Sequence, residues 1–214
     1  ESLDGARKAW NGEFGQKFAK DIIEPNGAYV LSYWESGYRH LSTKDKAIVK
    51  PEDMKGIKFR TSENDMKVQM FKAFDANIVM LPFSELFTAL QQGTVSGQEN
   101  PAANILASSL YEVQNYMSLT GHMYDNCVFG VNKKWFDKLP EDAQAIIKEE
   151  AAKSRTLDLD LSDETKFIAK LKEKGMKVNE VDKEAFRAMV KPIWDKFNKD
   201  HGPEWIDLAL KSQK

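Results

Sequence analysis

Cysteine is almost missing from this sequence of 214 residues: Cys127 stands alone, which excludes an intramolecular disulfide. A lone cysteine in a strand-like stretch is expected to be a small buried apolar residue rather than a nucleophile. Histidine is scarce too. His40, His122 and His201 show no His-x-x-x-His spacing, and there is no nucleophile elbow, P-loop or Gly-x-Gly-x-x-Gly, so neither a metal nor a cofactor is expected. No run approaches the roughly twenty apolar residues of a membrane-spanning helix, and no basic-then-apolar leader opens the sequence. Neither sign of charge dominates. The 31 basic and 33 acidic residues leave a net charge of −2, so no long-range field draws nucleic acid or an anionic membrane, and any anion site must be local.

What is present suits a globular α/β chain. Hydrophobic residues make up 42% and aromatics 11%, enough for a core in one or two domains. Leu3 to Ile23 has helical spacing, with Trp10, Phe14, Phe18 and Ile22 on one face, and stops near Pro25-Asn26-Gly27. Ala28 to Trp34 and Arg39 to Thr43 read as extended pieces, and Pro51-Glu52-Asp53 as a first helical turn. Strand Ile57 to Arg60, helix Glu63 to Phe74, strand Asn77 to Leu81 and helix Phe83 to Gln92 then give a βαβα rhythm. In the last of these Phe83, Leu86, Phe87 and Leu90 fall at core spacing, and Gly93 is the stop. Tyr116 to Tyr124 and Cys127 to Val131 are strand candidates. From Pro140 to Gly175 no Gly or Pro interrupts a helical pattern, which predicts one helix of roughly 50 Å. Helices over Lys183 to His201 and Pro203 to Lys211 complete the chain.

The stretch from Lys55 to Pro101 carries the chemistry. Arg60 comes at the C-terminal end of a strand, where open α/β sheets hold ligands. A guanidinium holds a carboxylate through two parallel charge-assisted hydrogen bonds, which a lysine cannot do. Asn100 donates and accepts through one amide, and the following Pro101 biases it to an extended conformation.

These residues sit in a longer pattern. Lys55-Gly56-Ile57-Lys58-Phe59-Arg60, Ala73 to Ala76, and Pro82 to Pro101 with its closing Gln98-Glu99-Asn100-Pro101 are joined by Trp34-Glu35-Ser36-Gly37-Tyr38-Arg39 and Trp135-Phe136-Asp137-Lys138-Leu139-Pro140. Together they resemble the extracytoplasmic solute receptors of the tripartite ATP-independent periplasmic (TRAP) transporters, along nearly the whole chain. Asp75 and Ile78 depart from the glycine and proline common in that family, and Ser96 from its aspartate, all at positions of turn and strand geometry. Family receptors are longer, so the resemblance implies the C-terminal portion of a receptor.

The resemblance implies a two-lobed α/β periplasmic-binding-protein-like fold with a long interlobe helix and an incomplete first lobe. Residues 1–36 and 126–165 would belong to the first lobe and that helix, and 37–125 and 166–214 to a second, ligand-binding lobe. Arg60 would be the main carboxylate clamp and Arg39 a second arginine, with an ion pair to Glu35 or another acid as its alternative role. Asn100 and Phe83 would contact the ligand, with turn and core roles as alternatives, and Tyr124, Asn126 and His122 would lie where the chain re-enters the other lobe. Glu99 would be a structural acceptor, because a second negative charge repels an acid. The implied function is capture of a small organic acid, a C4-dicarboxylate or a sugar acid, by lobe closure in the periplasm and delivery to membrane permease subunits, without nucleic acid, membrane insertion or catalysis. Oxo-acids stay open because Phe83 can stack or pack. The alternatives are an α/β enzyme acting on a carboxylate, with Glu99 or His122 as acid-base, and a helical interaction module built on Pro140 to Gly175.

Overall fold

The computed structural model describes residues 2–214 and is mixed α/β. Along the chain, α1 (Leu3–Asn11) and α2 (Glu13–Phe18) lead to β1 (Ala28–Thr43), then to β2 (Lys58–Thr61), α3 (Asp65–Ala73), β3 (Asn77–Met80), α4 (Leu86–Gln91) and β4 (Gly97–Pro101). There follow α5 (Ala102–Ala107), β5 (Tyr116–Asn132), α6 (Lys133–Phe136), α7 (Glu141–Leu161), α8 (Glu164–Glu173), β6 (Lys177–Asn179), α9 (Lys183–His201) and α10 (Glu204–Lys211). The strands form one sheet in the order β3-β2-β4-β1-β5-β6. The chain divides into two compact units, one of Glu1–Gly37, Asp125–Asp163 and His201–Lys214, the other of Tyr38–Tyr124 and Glu164–Asp200. It passes between them along β1, along β5, and at the ends of α7 and α9.

The second unit is built on the expected βαβα segment. β2 pairs in parallel with both β3 and β4, so the crossover through α3 runs outward in the sheet and the one through α4 runs back. Because both are right-handed by the general rule, α3 and α4 take opposite faces. The packing agrees. Phe71 and Phe74 join Leu41, Ile48, Met54, Phe59 and Phe186 in one core, while Leu86 and Leu90 of α4 join Val95, Ile105, Leu110, Met117 and Leu171 in another. Asn64 caps α3 by accepting the Lys67 amide at 3.0 Å, which sets Lys67 in its first turn. β4 then runs antiparallel to β1, with His40 opposite Asn100 and Leu41 opposite Glu99.

The first unit gathers its aromatics. Trp10 lies 4.9 Å from Phe14 and 5.3 Å from Phe18, edge-on, and Trp205 of α10 packs edge-on against Phe14 at 6.2 Å. Ile22, assigned to the same face, is exposed. The Trp205 contacts explain why the last segment groups with this unit, although the sequence reading placed 166–214 wholly in the second lobe. Arg7 forks onto Glu35, with both hydrogen bonds at 2.7 Å.

Two expectations need correction. The single helix from Pro140 to Gly175 is two: α7 ends after 21 residues at Leu161, a length of about 30 Å, and α8 starts at Glu164. Neither Gly nor Pro is needed for this break. Ser162 and Asp163 carry side chains that compete with helical backbone hydrogen bonds, and Ser162 Oγ donates to the Glu35 carbonyl at 3.4 Å. Cys127 lies on β5 as expected but is exposed, not buried. What burial it has, together with the Asp125 and Asp158 charges, raises its pKa and keeps the thiol protonated. Among the described residues no helix is long and apolar enough to cross a membrane.

Candidate functional site

The chemistry-bearing residues of the second unit converge where β2, β4 and the start of α3 meet. Arg60, the third residue of β2, is only 2% exposed. Its Nε and Nη2 both donate to the Leu81 carbonyl, at 3.0 and 2.7 Å, just beyond β3. Its guanidinium carbon lies 5.9 Å from the centroid of the Phe83 ring, within cation–π range. No carboxylate pairs with Arg60 among the described residues. Two of its five N–H groups are therefore spent on one oxygen, and the edge formed by Nη1 and Nη2 keeps its donors. Burial lowers its pKa, opposed by the Glu99 charge and reinforced by that of Arg39. A guanidinium still stays charged near neutral pH.

Arg39 has a different environment. It is buried on β1 and donates through Nε to Glu99 Oε2 and through Nη2 to Glu99 Oε1 at 3.1 Å, the Glu99 carbonyl at 3.0 Å and Asn100 Oδ1 at 2.9 Å. The ion pair foreseen as its alternative role is thus made with Glu99, while Glu35 is held by Arg7. Asn100 continues the chain of contacts. Its Nδ2 donates to Gln98 Oε1, and Gln98 Nε2 donates to Ser42 Oγ at 2.6 Å. Asn100 is accordingly a fixed member of a buried polar network rather than a turn residue.

Glu99 is completely buried. Besides Arg39, Lys67 Nζ lies 3.2 Å from its Oε1 and His122 Nε2 3.5 Å from its Oε2. The His122 contact is at ion-pair distance without hydrogen-bond alignment, since Nε2 has no hydrogen-bond partner among the described residues. Burial works against the Glu99 carboxylate, but the proximity of His122 and the bonds and charge of Arg39 outweigh it and hold its pKa at about 2. His122 itself is pushed below the ordinary imidazole value by burial, against the pull of Glu99. Thr120 Oγ1 is 2.8 Å from its Nδ1, and Phe71 packs edge-on against its ring at 5.6 Å. A carboxylate held near pH 2 is a poor general base at neutral pH, so the acid-base role considered for Glu99 loses its chemical footing. The structural acceptor role fits.

Phe83 is 44% exposed, so the core role suggested by its spacing does not apply, whereas Leu86 and Leu90 are fully buried. Tyr124 belongs to the same unit and packs edge-on against Tyr38 at 5.5 Å. Asn126 belongs to the other unit, and its buried Nδ2 has no hydrogen-bond partner among the described residues. Arg60 with Phe83, and Arg39 with Asn100 and Glu99, are thus brought together, and Tyr124 and Asn126 are divided between units. Lys67 escaped the sequence reading. It is one basic residue among several on an amphipathic helix, and the reading of that helix as starting at Glu63 hid its place in the first turn, which the Asn64 cap sets. Among the described residues, no group of three or more His, Cys, Asp or Glu side chains is placed to hold a metal ion.

Comparison with known proteins adds to this geometry. The sequence model described as bacterial extracellular solute-binding protein, family 7, matches residues 1–200. The chain is 35% identical over 207 residues to the 2,3-diketo-L-gulonate-binding periplasmic protein of Escherichia coli, covering 95% of this chain and 62% of that protein. Among solved structures it resembles a TRAP periplasmic solute-binding protein of a Polaromonas species bound to D-erythronate, with TM-score 0.92 and 37% identity over 98% of this chain and 70% of that one. It also resembles the sugar acid binding protein of Advenella mimigardefordensis in complex with galactonate, with TM-score 0.91 and 35% identity over 100% of this chain and 70% of that one. The chain spans less than two thirds of the length of the curated relatives it matches first.

Proposed function

Because the chain belongs to the family 7 bacterial extracellular solute-binding proteins, the solute receptors of TRAP transporters, we propose that it captures a sugar acid bearing a single carboxylate and hands it to membrane permease subunits from the periplasm. The observation that carries this reading is Arg60, a buried cation with no acidic partner among the described residues and an unspent pair of donors. A buried unpaired charge is costly, and an incoming carboxylate that meets both donors relieves that cost. In this role Arg60 is the clamp, Phe83 covers it, and Asn100 meets a ligand oxygen from a position held by Arg39 and Gln98.

One carboxylate is favoured over two because both oxygens of Glu99 already answer the Arg39 guanidinium. The second arginine that a C4-dicarboxylate would need is engaged inside the protein. The relatives support the same class, since erythronate and galactonate are the acids named for two similar structures. Thermal-shift titration tests the proposal, because a ligand of the native state raises stability by mass action. Galactonate and erythronate raise Tm, and galactonamide does not. Absence of any shift with sugar acids, dicarboxylates and oxo-acids alike would remove the receptor reading.

A further inference from the structure

We propose that Lys67 is a specificity-determining ligand contact of this site, holding an oxygen substituent of the acid other than its carboxylate. The inference rests on the receptor reading above and deepens it. Lys67 stands in the first turn of α3, its amide held by the Asn64 cap, and its side chain is only 11% exposed. Its ammonium is turned toward the buried end of β4, where Nζ reaches Glu99 Oε1 at 3.2 Å. That oxygen is already taken by Arg39 Nη2 at 3.1 Å, and the other one by Arg39 Nε. Lys67 therefore shares an acceptor that is satisfied without it.

An ammonium carries three donors, and the Glu99 contact is the one polar partner of Nζ among the described residues. A largely desolvated cation with spare donors beside Glu99, whose charge Arg39 already answers, is short of acceptors. Hydroxyl or oxo groups along the chain of a sugar acid supply neutral acceptors. They satisfy the donors without adding a negative charge beside Glu99, which a second carboxylate would do. Lys67 thereby distinguishes a hydroxylated acid from a plain one of equal charge, a task that Arg60 cannot perform because it reads the carboxylate common to both.

Calorimetry on the purified receptor tests this with galactonate, its individual monodeoxy derivatives, hexanoate and galactonamide, for wild type, Lys67→Met and Lys67→Gln. The expected result is that Lys67→Met weakens galactonate about tenfold, the loss of a hydrogen bond from a charged donor. Hexanoate and one monodeoxy acid lose nothing further, and Lys67→Gln recovers part of the difference because it keeps two donors. An equal loss for every acid means that Lys67 only supports Glu99, and overturns the inference. So does unchanged binding of galactonate. If Lys67→Met does not fold, the glutamine variant decides, since a changed ratio of galactonate to hexanoate affinity is still required. Failure of wild type to prefer galactonate over galactonamide is a different result and strikes the receptor reading itself.

Discussion

Replacing Arg60 by methionine removes the clamp while filling much of its volume. In the structure the side chain is 2% exposed, two of its donors are fixed on the Leu81 carbonyl, and the remaining edge has no partner among the described residues. A carboxylate bound there forms a desolvated pair with two parallel hydrogen bonds. Truncating one member of such a pair costs about 2–4 kcal/mol, which is roughly a 30- to 1000-fold loss of affinity for galactonate. Arg60→Lys keeps the charge but loses the planar fork, so about half of that free energy returns. Titration calorimetry of both variants with galactonate and galactonamide separates charge recognition from general damage. The amide, which offers no charge, loses less than about threefold on the same reasoning. A loss below threefold for galactonate in Arg60→Met, or equal losses for acid and amide, refutes the clamp.

Other consequences follow from the same geometry. His122 is held neutral by burial, so the unfolded chain binds its proton more readily below the ordinary histidine value near pH 6.5, and stability falls as pH drops below it. Thermal melts from pH 8 to 5 should show this fall in wild type and a shallower one in His122→Asn; identical slopes would contradict it. Glu99, with a pKa of about 2 against an ordinary 4.5, contributes about 3 kcal/mol that is complete above pH 4.5 and disappears as pH falls through 2. Urea unfolding of Glu99→Gln at pH 7 and pH 3 should therefore show a smaller deficit at the lower pH. Gly97 has no room for a side chain, since a Cβ would lie 2.9 Å from the Phe59 ring and 3.2 Å from Thr43 Cγ2. Gly97→Ala should cost about 1–3 kcal/mol in urea unfolding, and a neutral result would mean the strands can part. Asp75 sits at φ 59°, a left-handed conformation that glycine adopts without strain, so Asp75→Gly should stabilise by about 0.5 kcal/mol in the same assay.

The βαβα segment was legible because local signals agreed with the fold. Alternating Ile57 to Arg60 and the Gly93 stop each act within a few residues. Asp75 was legible in the same way, as a turn position where relatives carry glycine, and its positive φ gives the reason. The extent of β1 was not legible. Ala28–Thr43 is one strand of 16 residues although Gly37 interrupts its alternation, because partner strands hold the backbone on either side. The break at Ser162-Asp163 was hidden by the absence of Gly and Pro, and the strand at Lys177–Asn179 is too short to show a period.

For the site, Arg60 was legible from the motif, but the partner of Arg39 was not. Arg39 and Glu99 are 60 residues apart, and only the antiparallel register of β1 and β4 brings them together. The same holds for Lys67 and Glu99, which belong to different elements and meet only in the folded unit. Long-range ion pairs of this kind leave no trace in local spacing.

The most direct test of the central claim is a crystal structure of the receptor with galactonate bound. The account expects both carboxylate oxygens on the Nη1 and Nη2 edge of Arg60 at about 2.7–2.9 Å, with the Arg39–Glu99 pair intact. A carboxylate seated elsewhere, with Arg60 still holding only Leu81, would contradict it.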